Sequence, residues 1–142
     1  MNHVENSKTV AKVVDGASIA HTIDCKGYNH ASIDVAFEPV AAAGTASAVA
    51  TVLKLETSDT NGSFANLSGY VGGTDFTIPT PANTSDTVVV RFDVDLRGKK
   101  RYLNVASTLQ ASGGVASVVR LSQAEDGPSS ASEKGVSVAV SG

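Results

Sequence analysis

Tryptophan is absent from this chain, cysteine occurs once, and aromatic side chains make up only 5% of 142 residues. The single thiol, Cys25, excludes an intrachain disulfide, on which small secreted domains often depend. Assembly in a reducing compartment is therefore the expectation. Residues 1–16 contain no apolar run of signal-peptide length, and no stretch approaches the roughly 20 apolar residues of a membrane helix. No excess of positive charge is present either: 11 Lys and Arg stand against 14 Asp and Glu, a net charge of −3. A protein built to coat nucleic acid normally carries a clear basic surplus, so that class is not expected.

What remains is rich in alanine and valine, with 13 glycines and many Ser, Thr and Asn residues for turns. Small β-branched side chains pack well on a pleated surface, and the chain length suits one domain with one core. The strongest periodic signal lies in 86–121. Val88, Val90, Phe92, Val94 and Leu96 alternate with Val89, Arg91, Asp93, Asp95 and Arg97. Side chains of a strand point alternately to opposite faces, so one face is apolar and the other charged.

The same reading extends along the chain. Strands are expected at 9–14 and 17–24, separated by a turn at Asp15-Gly16, with Ile19, His21 and Ile23 sharing a face. Residues 31–37 place Ile33, Val35 and Phe37 inward, and Pro39 ends the segment. A flexible connection over 40–48 precedes a strand at 49–56 with Val49, Thr51, Leu53 and Leu55 on one face. Residues 57–73 read as a meandering loop with short β pieces, and 76–78 as a short strand. The strand at 87–96 is expected to return as a hairpin through Arg97-Gly98-Lys99-Lys100 into 101–110. Gly113-Gly114 then turns the chain before 115–121, and Val136, Val138 and Val140 alternate in a last piece. About eight short strands predict an all-β single domain, a β-sandwich or jelly-roll-like barrel. It would span 9–121, between a polar arm (1–8) and a polar tail (122–142) with a terminal strand.

Reactive chemistry is hard to find. His21, Asp24, Cys25 and His30 fall close together, but no Cys-x-x-Cys or His-x-x-x-His spacing accompanies them, so no metal is expected. There is no Gly-x-Ser-x-Gly elbow, and Gly69-Tyr-Val-Gly72-Gly73 lacks the Lys-Ser/Thr ending of a phosphate loop. Neither a catalytic residue nor a cofactor is assigned, and the chain reads as no enzyme. Five of the 11 basic residues cluster at Arg91, Arg97, Lys99, Lys100 and Arg101. With Asp93 and Asp95 interleaved, that cluster reads as a solvated hairpin tip or as a contact for an acidic protein surface rather than as a nucleic-acid site. Together with Val136, Val138 and Val140 it forms the set of expected protein-contact residues, the valines adding a strand to a neighbour's open edge.

Several segments in order carry a resemblance. They are Ile23-Asp-Cys-Lys-Gly27-Tyr, Ala31-Ser-Ile-Asp-Val, Leu53-Lys-Leu-Glu-Thr-Ser-Asp59, Gly72-Gly-Thr-Asp-Phe-Thr-Ile-Pro79 and Val90-Arg-Phe-Asp-Val-Asp-Leu-Arg-Gly-Lys-Lys-Arg-Tyr102. Over about 14–121 this pattern resembles small β-sandwich decoration, or head cement, proteins of tailed phages and prophages. The resemblance implies a virion structural protein on the outer capsid surface, made in the host cytoplasm. Its partners would be the major capsid protein and further copies of itself in a homotrimer, with no nucleic acid and no membrane. A carbohydrate-binding module of a head fibre or tail is the alternative, and it would use exposed tyrosines among Tyr28, Tyr70 and Tyr102.

Overall fold

The structure, a computed structural model, describes residues 6–39, 47–83 and 85–140. His3, most of the arm and most of the 40–48 connection lie outside the described residues. The strands are β1 (Lys8–Asp24), β2 (Tyr28–Phe37), β3 (Ala50–Ser58), β4 (Ala65–Val71), β5 (Val88–Asp95) and β6 (Tyr102–Ala124). All pair antiparallel, and the described residues contain no helix. The all-β expectation holds, with six strands in place of about eight.

The count falls because two expected turns are not turns. β1 and β6, of 17 and 23 residues, pair from Lys8 opposite Leu121 to Asp24 opposite Tyr102. Yet β2, which starts at Tyr28, begins opposite Ala124, at the other end of β6. Three intervening residues cannot span a straight ribbon of that length, since each covers at most about 3.6 Å. The β1–β6 ribbon is therefore folded over on itself. One layer holds β4, β3, the first half of β6 and the second half of β1. The other holds β5, β2, the second half of β6 and the first half of β1.

The corner lies where Asp15 and Gly16 pair with Gly114 and Gly113, the two dipeptides read as turns. Facing each other in register, they let both strands bend and run on into the other layer. The Glu38 carboxylate accepts the Gly114 N–H, and the Glu38 N–H donates to the Gly114 carbonyl at 2.9 Å. Just beyond, Ala17 alone stands against Leu109 to Ser112 of β6. That odd residue switches the parity of β1, so Val10 and Val14 before it and Ile19 and Ile23 after it all face the core.

Other departures are local. The 87–96 and 101–110 segments do not form a hairpin: β5 pairs with β2, and that half of β6 with β1 and β3. Alternation sets which face of a strand is buried but not which strand lies beside it. A register shift between Ala50 and Val52 buries Ala50 and exposes Thr51, against the expected inward Thr51. Residues 76–78 contribute one bridge, Gly72 to Phe76, and 136–140 pair with no strand. β6 runs to Ala124, three residues into the stretch read as polar tail.

The edges of β4 and β5 meet without a ladder. The Phe92 ring lies 5.5 Å from that of Phe76 and 6.2 Å from that of Tyr70, both edge-on. The Tyr70 hydroxyl donates to the Asp93 carbonyl at 2.9 Å. This seam nearly closes the sheet into a barrel around Ile33, Val35, Leu53, Leu55, Leu103, Val105, Val119 and Leu121, all at most 1% exposed.

Candidate interaction surfaces

The turn after β1 and the Leu96–Arg101 connection are bound together at one end of the barrel. Cys25 donates its N–H to the Arg101 carbonyl and Leu96 to that of Asn29, each at 2.9 Å. Four of the five expected basic residues belong to this connection: Arg97, Lys99, Lys100 and Arg101, of which the last three line an open depression of about 350 Å³ together with Lys26. Arg91 is elsewhere, on the outer face of β5.

Most of this charge is already matched. Arg91 makes two hydrogen bonds, 2.7 and 2.9 Å, to Asp34, its cross-strand neighbour on β2. Arg97 folds back on Asp95, and Arg101 grips Asp24 through Nε and Nη2 at 2.9 and 2.7 Å. Lys100 stands 3.6 Å from Asp59. These pairs hold the carboxyls of Asp24, Asp34 and Asp95 below the usual carboxylate range, first through the arginine hydrogen bonds. Lys26 and Lys99 have no ion-pair partner among the described residues. The end of the barrel is a lattice of forked pairs with two unmatched lysines, not a strongly basic patch.

The tyrosines are engaged rather than presented. Tyr70 lies in the seam, Tyr102 lies under the Arg101 guanidinium at 4.9 Å, and Tyr28 is half-buried. Cys25 is buried, its thiol pushed up to about 12 by burial and by the Asp24 charge, which removes the thiolate a nucleophile would need. No group of three or more His, Cys, Asp and Glu able to hold a metal occurs among the described residues.

Folding the ribbon brings together one pair that no spacing announces. His21 Nδ1 lies 2.8 Å from Ser117 Oγ, across the interior, with 4% and 0% of the two residues exposed. Burial first, and the Lys12 ammonium second, lower the imidazole to about 4, so it is neutral at pH 7. Such a contact superficially matches a nucleophile and its base. Enclosed in the core, it instead satisfies two polar groups that would otherwise be stranded.

The surface that sequence reading passed over is a row on the outer face of the second layer. Val13, Ala116, Ala36 and Val89 pair in succession across β1, β6, β2 and β5. Val13 is 76% exposed and Val89 57%, with exposed Val118 and Ala11 in the next row. The signal was available: Val13-Val14, Val118-Val119 and Val89-Val90 are doublets, and a doublet in a strand must put one valine on each face.

Of the expected tail contacts, Val136 is half-buried while Val138 and Val140 are 73% and 91% exposed. Comparison with family models, with curated proteins and with solved structures returned no match.

Proposed function

We propose that this chain is a non-enzymatic structural protein of a tailed-phage virion, bound to the outer capsid surface, where it bridges and stabilises capsid subunits. The apolar row from Val13 to Val89 carries the reading. A row with exposed Val13 and Val89 at its ends and half-buried Ala116 and Ala36 between them presents apolar side chains over four strands, and apolar surface of this kind marks protein contacts. Its side chains are short and stand on the outside of the barrel, so they offer no cleft for a small ligand and suit contact with another protein surface. Forked pairs such as Arg91–Asp34 border it and limit which partners are tolerated, since a misplaced charge opposite them is repelled. The segment-by-segment resemblance to capsid decoration proteins supports the major capsid protein as the partner. Repeated over a symmetric shell, modest contacts add to a large resistance to breakage.

The test is the protein composition of gradient-purified particles. A fixed, high ratio of this chain to the major capsid protein is the expected result. A few copies per particle moves the role to a head fibre or tail, and absence overturns the virion reading.

A further inference from the structure

The outer edge of β1 is open. Thr9 directs its N–H away from β6, to the Lys134 carbonyl at 2.7 Å. Backbone groups alternate sides along a strand, so Ala11, Val13 and Asp15 turn theirs the same way. β1 pairs with β6 alone, and nothing among the described residues bonds these outward groups. Native edges are usually blunted by lysine, proline or a bulge. The one lysine in this stretch is turned aside: Lys12 lies opposite Ser117, and its ammonium donates to the Ala20 carbonyl at 2.7 Å. Val13 stands at the centre of the edge, 76% exposed. Lys134 closes one end of the stretch and the irregularity after Gly16 the other, which leaves the five residues Ala11–Asp15.

The tail offers an unpaired segment of the same length, the uncharged, valine-alternating 136–140. In its own chain that segment is directed off the edge. The N–H groups of Lys134, Gly135 and Val136 return to the carbonyls of Ser130, Ser132 and Ala131, each at 3.0 Å, and Gly135 turns with φ 70°. The Glu133 carboxylate braces the turn by accepting the Ser129 and Ser130 N–H groups. Gly135 packs against the Thr9 carbonyl, where a Cβ has no room. The root of the tail is thus fixed beside β1 while Val138 and Val140 project into solvent.

We propose that 136–140 of one copy pairs with Ala11–Asp15 of a second copy as an added strand. Each copy gives one tail and accepts one, so every tail and every edge is used in a reciprocal pair or a closed ring of copies. It joins copies of this chain and does not depend on the capsid role.

The test uses light scattering during size-exclusion chromatography on the full chain, on a chain lacking 136–142, and on Val13→Pro, with circular dichroism to confirm folding. Proline at Val13 removes an outward N–H without touching the β6 ladder; if it unfolds the chain, Val13→Lys at the same exposed position replaces it. The full chain is expected to be a multimer and both variants monomers. Mixing the two variants should give a one-to-one complex, because one keeps the edge and the other keeps the tail. A monomeric full chain, a multimer that survives either change, or variants that fail to combine overturns the proposal. None of these results alters the particle composition, so the two readings fail separately.

Discussion

His21 and Ser117 are 96 positions apart and hydrogen-bonded at 2.8 Å, one on each layer of the folded ribbon. Because the imidazole is lowered from 6.5 to about 4, the unfolded chain binds a proton at this group between those values and the folded chain does not. Stability must then rise with pH through that window: it is fully present above about pH 6.5 and lost as pH falls toward 4. At about 1.36 kcal/mol per pH unit, the group contributes up to roughly 3 kcal/mol. Urea unfolding at pH 4.5 and 7.0 measures it. The double variant His21→Leu with Ser117→Ala removes both polar partners and should flatten this part of the profile; an unchanged slope would mean that the carboxylates account for it.

Gly72 is held by close approach rather than by backbone conformation. A Cβ there would lie 2.6 Å from the Leu53 carbonyl oxygen and 2.7 Å from Ile78 Cγ1, while the Gly72 N–H donates to that same carbonyl at 2.8 Å. Gly72→Ala must separate β3 from the β4 end and is expected to lose about 1–3 kcal/mol. Gly62→Ala, with open space around it, should change stability by less than about 0.5 kcal/mol. Equal midpoints for the two variants in urea would contradict the close approach.

Cys25 gives a chemical readout of opening. The residue is 5% exposed and its thiol is pushed up to about 12, so at neutral pH it is buried and not ionised. Labelling with a thiol reagent should be slow in the native protein and should accelerate in denaturant in step with the unfolding midpoint. Rapid labelling of the folded chain would show that the turn between β1 and β2 opens locally.

Much of the barrel was legible in the residues, and the remainder was hidden for identifiable reasons. The alternation of Val88, Val90, Phe92, Val94 and Leu96 names the inner face of β5 directly, and Ile33, Val35 and Phe37 do the same for β2. Asp15-Gly16 and Gly113-Gly114 look like turns because a glycine breaks a run in the same way whether the chain reverses or merely bends. Only their pairing, which joins residues about a hundred positions apart, tells the two cases apart. The basic cluster was visible as charge, but its neutralisation was not, since Asp24 and Asp34 reach Arg101 and Arg91 across strands. Valine doublets announced exposed apolar side chains; that Val13, Ala116, Ala36 and Val89 fall in one row needed the registers of three strand pairs.

The seam between β4 and β5 is held by packing more than by hydrogen bonding. Phe92 is 5% exposed and touches both Phe76 and Tyr70, whereas the hydrogen bond across, from the Tyr70 hydroxyl to the Asp93 carbonyl, lies on exposed surface. A buried aromatic ring cut to alanine loses its transfer free energy and leaves a cavity, so Phe92→Ala should cost about 3–5 kcal/mol. Removal of the hydroxyl in Tyr70→Phe leaves both ring contacts in place and should cost about 1 kcal/mol or less. Hydrogen exchange gives the finer check. In Phe92→Ala the amides of β4 and β5 should lose protection before those of β6, because the barrel opens at the edge that has no ladder. If Tyr70→Phe proved the more damaging of the two, the bond to Asp93 would be what closes the barrel.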